Sequence, residues 1–223
     1  MSAAIPDTTP ASAPEPTPVA ADSTPAPITK TSPITLRAPS SLPSKTDTSI
    51  VPPTLSWFEG TWDVTHSSLP MWKKNKNVQI TYKRIAGTSP AHIDDIVSYQ
   101  PINSSKSKTV HGVDKPFDIP GSAEKVEGEE ERANLGYGWR GKGWLVIATS
   151  KWELLGYGTE EGTGVEWAVT HFAKTLFTPP GVDVYARKGH LKEQTLDDIK
   201  GALAGLGGDV AKVAKDIFQV AKD

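Results

Sequence analysis

Short segments in which apolar and polar residues alternate extend from residue 55 to residue 187. The clearest is 78–83, and 164–171 and 182–187 show the same period of two. This period places successive side chains on opposite faces of a half-buried strand. The chain contains eight such segments, at about 57–66, 77–85, 92–100, 108–113, 134–140, 143–157, 164–176 and 182–187.

Eight consecutive strands followed by a helical segment are typical of an up-and-down barrel. We therefore expect a mainly β protein in which 55–190 form an eight-stranded antiparallel up-and-down β-barrel. Segment 143–157 is too long for an ordinary strand and is expected to be bent or divided, after a tight hairpin at Gly141-Lys142-Gly143. The acidic segment 114–133 predicts either a disordered excursion or, over 115–120, a lid across an opening.

The period changes to that of a helix over 191–223. Apolar residues such as Leu196, Ile199 and Leu203 recur at helical spacing, and Gly207-Gly208 predicts a break between two helices. This C-terminal amphipathic segment is expected to pack on the outside of the barrel. Two alternatives are a helix that binds a protein partner and a helix that lies on a membrane surface.

The first 54 residues differ in composition from the rest of the chain. They hold twelve of the nineteen prolines and no aromatic residue. Such a segment cannot bury enough apolar area to offset its chain entropy. We expect 1–54 to be a disordered Pro/Ser/Thr/Ala-rich arm, acting as a solubilising tether or as a docking tail for a protein partner.

Composition excludes several classes of function. The net charge of −2 indicates no strongly positive electrostatic field that would attract nucleic acid, so no nucleic-acid partner is expected. The chain has no cysteine, which excludes disulfides, zinc ribbons and thiol catalysis. No integral membrane segment and no signal peptide are predicted, so the expected location is cytoplasmic.

One short motif resembles a known family. The first strand contains Gly60-Thr61-Trp62, and the eighth ends at Arg187. This arrangement resembles the lipocalins and related calycin barrels over 55–190, although the mid-chain Thr-Asp-Tyr-type motif is missing. The resemblance implies that Gly60, Trp62 and Arg187 are structural, with Arg187 packed across the Trp62 ring at the barrel floor. It also implies a divergent intracellular member that binds a hydrophobic small molecule.

Strand parity selects candidate site residues. His171 falls on the apolar face of 164–173, and Asp95 falls on the apolar face of 92–100. If these faces point inward, their polar groups enter a mostly apolar cavity, as a small-molecule site requires. The predicted ligand-binding residues are Tyr82, Arg84, Tyr99, Trp139, Trp167 and His171. His171 and Asp95 are the catalytic candidates if the protein is an enzyme.

No motif for a nucleotide, phosphate or metal is present, so no cofactor and no metal are predicted. Haem binding by one histidine is left open. The first functional hypothesis is binding of a hydrophobic small molecule in the barrel. The second is a cofactor-independent isomerase or cyclase for a polyketide- or terpenoid-like substrate of secondary metabolism, an activity of some fungal and bacterial lipocalin-like proteins. The third is a protein-interaction module with a filled barrel.

Overall fold

Eight antiparallel strands close into a barrel. The computed structural model describes residues 34–42, 50–119, 130–176 and 178–223. Its strands are β1 (Gly60–Ser67), β2 (Asn75–Arg84), β3 (Ile93–Pro101), β4 (Lys108–Phe117), β5 (Gly136–Gly141), β6 (Thr149–Thr159), β7 (Glu166–Phe172) and β8 (Gly181–Arg187). Each strand pairs with the next, and β1 pairs with both β2 and β8, which closes the ring. The predicted fold class is confirmed.

The floor of the barrel is built from one aromatic ring and one guanidinium. Trp62 on β1 is buried, and its indole Nε1 donates to the Phe58 carbonyl oxygen at 3.0 Å. The Arg187 guanidinium carbon lies 3.9 Å from the centroid of the Trp62 ring. Arg187 also donates to the Glu59 carbonyl oxygen at 2.8 Å. The predicted stack of Arg187 on Trp62 is therefore present, and it ties the last strand of the barrel to the first.

Gly60 is required by its backbone conformation. Its φ of +101° lies in the region that residues with a Cβ rarely adopt. This conformation turns the chain from helix α1 (Leu55–Phe58) directly into β1. Phe58, at the end of α1, projects into the barrel and stacks on Tyr82 with ring centroids 4.6 Å apart. Helix α1 thus fills the floor end of the interior.

The connection between β5 and β6 differs from the prediction. A 3₁₀ turn at Gly143–Leu145 follows β5, and β6 begins only at Thr149. The exposed fraction of Ile147 in this connection is 86%. The tight hairpin predicted at 141–143 is wrong, and 143–157 is divided as expected, because its first apolar residues belong to an exposed turn.

Strand β4 is longer than predicted. Residues 115–117, expected to start a lid, continue β4 and pair with β5, with Phe117 opposite Gly136. The prediction of a lid is therefore wrong for these three residues, because each of them pairs with a residue of β5. The question of a lid or a disordered excursion over 120–129 lies outside the described residues.

The C-terminal segment forms two helices and a short strand. Helix α2 (Glu193–Gly205) and helix α3 (Gly208–Ala214) are separated at Gly207, as predicted. Their buried residues Ile199, Leu203 and Val210 pack on the outside of the barrel. The helical pattern expected to continue to Val220 is instead the two-residue strand β9 (Phe218–Gln219). It pairs with the second half of β1, where β2 has diverged and left backbone groups unpaired.

Part of the predicted N-terminal arm packs against the barrel. Residues 34–42, here called the N-terminal strap, cross the outer face of β6. The Arg37 side chain is buried, donates to Glu153 Oε2 at 2.6 Å and donates to the Leu154 carbonyl oxygen at 2.9 Å. Leu36 lies over Gly156, where a Cβ would come within 2.3 Å of it. The assignment of 1–54 to a disordered arm is therefore wrong for the strap, because a buried ion pair and a leucine hold it. Residues 1–33 and 43–49 lie outside the described residues.

Arg187→Lys should destabilise the barrel by about 1–2 kcal/mol, because lysine keeps the charge but loses the planar stack and the paired donors. Urea unfolding measures the change. Arg140→Lys, a matched replacement at an exposed position of β5, should change the free energy of unfolding by less than about 0.5 kcal/mol. If the two substitutions change the free energy of unfolding equally, the stack of Arg187 on Trp62 adds no stability of its own.

Glu153→Gln should destabilise the protein by about 3–5 kcal/mol, because it leaves the buried Arg37 without its counter-charge. Limited proteolysis should also cut within the strap sooner than in the unmodified protein. Asp209→Asn, which breaks the fully exposed pair with Lys212, is the control and should leave both measurements unchanged. If the strap stays protected from proteolysis in the Glu153→Gln protein, the ion pair between Arg37 and Glu153 does not hold it in place.

Candidate functional site

Two apolar clusters lie on opposite sides of the barrel wall. The inner cluster holds Trp62, Ile80, Tyr82, Ile93, Tyr137, Trp152, Leu154 and Tyr185. The outer cluster holds Leu155, Trp167, Val169, Val182 and Val184, together with Leu36 of the strap and residues of α2 and α3. Because the strap and helices cover the outside of the barrel, the strand residues of the outer cluster face away from the interior.

A pair of buried carboxyl groups lies inside the barrel. Asp95 on β3 is 5% exposed, and Asp114 on the neighbouring strand β4 is fully buried. Trp152 donates its indole N–H to Asp114 Oδ1 at 2.9 Å. Tyr82 on β2 stands directly opposite Asp95 in the strand register. Three adjacent strands and β6 thus bring two acids, a phenol and an indole together.

Burial and mutual repulsion keep this pair from ionising fully. Burial raises the pKa of Asp95 well above its usual range, and the neighbouring Asp114 raises it further. The pKa of Asp114 is also raised by burial, against the opposing effect of the Trp152 hydrogen bond. One proton shared between the two groups, donated by Asp95 to Asp114, satisfies both shifts.

A third buried acid lies toward the other end of the barrel. Asp183 on β8 accepts a hydrogen bond from the Ser67 hydroxyl at 2.5 Å, at the end of β1 away from the floor. Burial raises the pKa of Asp183 to about 7, although the Ser67 hydrogen bond opposes the shift. Trp72, in the 3₁₀ turn Pro70–Lys74 that joins β1 to β2, lies beside it. This end of the interior therefore also combines a carboxyl with an indole.

Several buried polar atoms of the interior make no hydrogen bond among the described residues. Apart from the proton that Asp95 and Asp114 share, they are Trp72 Nε1, Asp95 Oδ1, Asp114 Oδ2, Thr170 Oγ1, Asp183 Oδ2, the Tyr185 hydroxyl and, at the floor, Arg187 Nε. Trp72 neighbours Asp183, and Thr170 neighbours Tyr185, so each of these pairs contains a donor and an acceptor. The carboxyl pair differs, because both of its groups are acids and the one proton they share is the only donor that the pair itself supplies.

The structure divides the predicted ligand-binding residues into three groups. Tyr82 belongs to the inner cluster, and Tyr99 and Trp139 pack against it. Asp95, opposite Tyr82 in the register, lies in the same surroundings. Arg84 lies at the rim, exposed and paired with Glu131 at 2.9 Å. Trp167 and His171 lie outside the barrel wall. The expectation that these two enter the lumen is therefore wrong.

His171 occupies a buried position in the outer layer. It stands opposite Glu153 in the register of β6 and β7, close to Arg37 of the strap and Asp209 of α3. Burial lowers its pKa, so the imidazole is neutral at neutral pH. His171 and Asp95 are on opposite sides of the wall and cannot act on one substrate. Parity alone could not show this, because β7 is buried on both faces.

Sequence reasoning missed the residues that make the interior polar. The predicted fourth strand ends at residue 113 and so does not include Asp114. The irregular segment 143–157 does not show which face of the strand Trp152 is on. Asp183 and Tyr185 alternate with Val182 and Val184, which predicts a strand but does not say which of the two sets faces inward. An available signal was that Asp183 lies between two valines of a strongly apolar strand, where a buried charge needs a specific partner.

A second concave surface lies outside the barrel. It is a groove of about 340 Å³ between β1, the start of α2 and residues 219–222, lined in part by His66 and His190. Asp63 in this groove is already paired with Lys222 at 2.7 Å and accepts from Gln79 at 2.9 Å. Burial lowers the pKa of His66 to about 4. The groove therefore offers fewer unpaired polar groups than the interior does.

The described part of the chain contains neither a metal-ligating cluster nor a membrane-spanning helix. No three acidic or histidine side chains among those residues come together in a way that would hold a metal ion. No helix among them is long and apolar enough to cross a bilayer.

Comparisons with known proteins find similar solved structures but no matching sequence. No family model matches the chain, and no curated protein sequence matches it. Among solved structures it is similar to lobster apocrustacyanin A1, with 10% identity and a TM-score of 0.48 over 76% of this chain and 79% of that one. It is also similar to apocrustacyanin C2, with 11% identity and a TM-score of 0.47 over 74% and 78%. The closed eight-stranded barrel and its tryptophan–arginine floor are the two structural features that the lipocalin-like resemblance of the sequence implied.

Asp183→Asn should flatten the dependence of stability on pH. The raised pKa means that the folded state holds a proton which the unfolded state releases between about pH 4 and pH 7, so stability falls as pH rises through this window. The variant removes a slope of up to about 1.4 kcal/mol per pH unit and is more stable than the unmodified protein at pH 8. Urea unfolding from pH 4 to pH 8 measures this. Asp216→Asn, at an exposed position, should reproduce the original slope, and an unchanged slope in Asp183→Asn would contradict the assignment.

Proposed function

We propose that the barrel interior binds a small, mostly apolar molecule that carries a hydrogen-bonding group. The observation that carries this proposal is the buried carboxyl pair, to which the Trp152 indole is the only donor among the described residues apart from the proton that the pair shares. Aromatic side chains form much of the surrounding surface. An apolar interior with a few convergent polar groups is the usual composition of a small-molecule site.

The energetics of burial support a bound polar partner. Each buried polar atom without a hydrogen bond destabilises a protein by about 1–3 kcal/mol. Neighbouring side chains can pair Trp72 with Asp183, and Thr170 with Tyr185, after small movements. The carboxyl pair has no such remedy, because two acceptors cannot satisfy each other beyond one shared proton. A donor on a ligand would remove this cost.

The aromatic side chains limit the size of the ligand. Phe58, Tyr82, Tyr137 and Trp152 stack on one another, with Tyr137 and Trp152 centroids 4.8 Å apart, and they fill the floor end. The ligand therefore lies between this stack and the opposite end, where Trp72 packs on Tyr99 at 5.8 Å. This geometry favours a compact molecule with one ring or a short chain.

The enzyme alternative receives less support. A cofactor-independent isomerase or cyclase was expected to use His171 and Asp95 together, and the barrel wall separates them. A protein-interaction role for the N-terminal arm remains a prediction, as does the cytoplasmic location. The apolar faces of α2 and α3 are already covered by the barrel, so they do not support a partner-binding helix.

Binding should quench the fluorescence of Trp152, which lies inside, and leave Trp167, which lies outside, unaffected. The test titrates the full chain with a panel of compact aromatic and alkyl alcohols, ketones, amines and acids, and native mass spectrometry of the purified protein searches for a retained molecule. At least one compound should quench emission and raise the melting temperature by several degrees.

Two tryptophan variants locate the bound molecule. Trp152→Phe should reduce the quenching, whereas Trp167→Phe should preserve it. If the panel changes neither emission nor melting temperature, the binding proposal fails. Quenching lost in Trp167→Phe but kept in Trp152→Phe would place the ligand outside the barrel and would also overturn it.

A further inference from the structure

The charge of the interior has a single sign. Three carboxyl groups are buried on its surface, those of Asp95, Asp114 and Asp183. The buried basic side chains among the described residues are Arg37 and His171, and both belong to the outer layer beneath the strap. Arg187 lies at the floor with its guanidinium against Trp62 and Glu166. No cation within the described interior therefore faces the three acids.

We propose that the ligand of the barrel is a cationic primary amine with an aromatic or short alkyl body, and that its ammonium group binds the Asp95–Asp114 carboxyl pair. This inference rests on the proposed function and names its ligand class. It assigns Asp95 and Asp114 as the recognition residues, with Tyr82 and Trp152 beside them.

The geometry of the pair suits an ammonium group. An ammonium has three N–H donors and no acceptor. The pair holds one shared proton, which an ammonium group can replace with its own N–H donors, and the only other donor to the pair among the described residues is the Trp152 indole. Asp114 is fixed from the other side by the Trp152 indole N–H, so its carboxyl group is held in one orientation. Charge-assisted hydrogen bonds of this kind are about twice as strong as neutral ones.

Aromatic rings beside the acids can contact the apolar body of the ligand. Trp152 directs its N–H edge to Asp114 and stacks with Tyr82 at 5.7 Å and with Tyr137 at 4.8 Å. The acids therefore recognise the ammonium group, and the rings provide apolar contact area for the rest of the molecule.

Electrostatics separates the possible ligand charges. An anionic ligand would add negative charge to a buried acidic site that has no counter-cation among the described residues, which is strongly unfavourable. A neutral alcohol can donate only one hydrogen bond to the pair. A cation compensates the carboxylate charge, and it would lower the raised pKa of the acids by favouring their ionised form. Selectivity should therefore follow the order cation, neutral, anion.

Three probes of matched shape test this order on the full chain. They are 2-phenylethylamine, 2-phenylethanol and phenylacetate, compared by isothermal titration calorimetry at pH 7.5. The amine should bind at least tenfold more tightly than the alcohol, and phenylacetate should bind most weakly. Equal affinities, or tighter binding of the alcohol or the acid, would overturn the amine assignment while leaving the binding function intact.

Variants of the pair separate recognition from folding. Asp114→Asn keeps an acceptor for Trp152 but removes the charge, and it should weaken amine binding at least tenfold while changing alcohol binding less than threefold. Asp95→Asn should act in the same direction and provides the test if Asp114→Asn fails to fold by near-ultraviolet circular dichroism. Asp216→Asn, at an exposed position, is the control and should leave all three affinities unchanged. Full amine affinity in both folded pair variants would refute the carboxyl pair as the site, and absence of binding by all three probes would remove both this inference and the proposed function for compact ligands.

Discussion

Closure of the sheet is the constraint on which the rest of the structure depends. Because β1 pairs with both β2 and β8, the wall has one inside and one outside, and every strand must sort its side chains between them. The stack of Arg187 on Trp62 holds the junction of the first and last strands and closes the floor. Once the ring is closed, the alternation along each strand decides which groups are enclosed.

The closed wall is buried on both faces along β6, β7 and β8. Inside, aromatic rings from α1 and several strands stack on one another. Outside, the strap and the helices α2 and α3 cover Val169, Val182 and Val184. The outer layer also contains its own buried ion pair, between Arg37 and Glu153. Two charged sites thus occupy the protein at different depths: a compensated pair outside and an uncompensated acid pair inside.

Charge compensation distinguishes the structural ion pair of the outer layer from the carboxyl pair of the candidate site. Arg37 and Glu153 satisfy each other and several backbone groups, so the outer pair is already paired within the chain. Asp95 and Asp114 repel each other, and burial raises the pKa of both. Proteins tolerate such unfavourable groups most often where a ligand or a reaction uses them. The interior acids therefore mark the candidate site because no cation among the described residues compensates them. His171, which is buried among charged neighbours in the outer layer, has a structural role.

The sequence by itself determined the strands, the barrel, the floor and the division of the tail into two helices. These features follow from local periodicity, from Gly60 and from the pair of glycines at 207–208, all of which act over a few residues. Only the tertiary structure decided which face of β7 and β8 points inward, that the strap packs on β6, and that Asp95 meets Asp114. The reason is physical: alternation identifies two faces of a strand but cannot say which is enclosed when both are apolar. Contacts between distant segments, such as Arg37 with Glu153, leave no periodic trace in the chain.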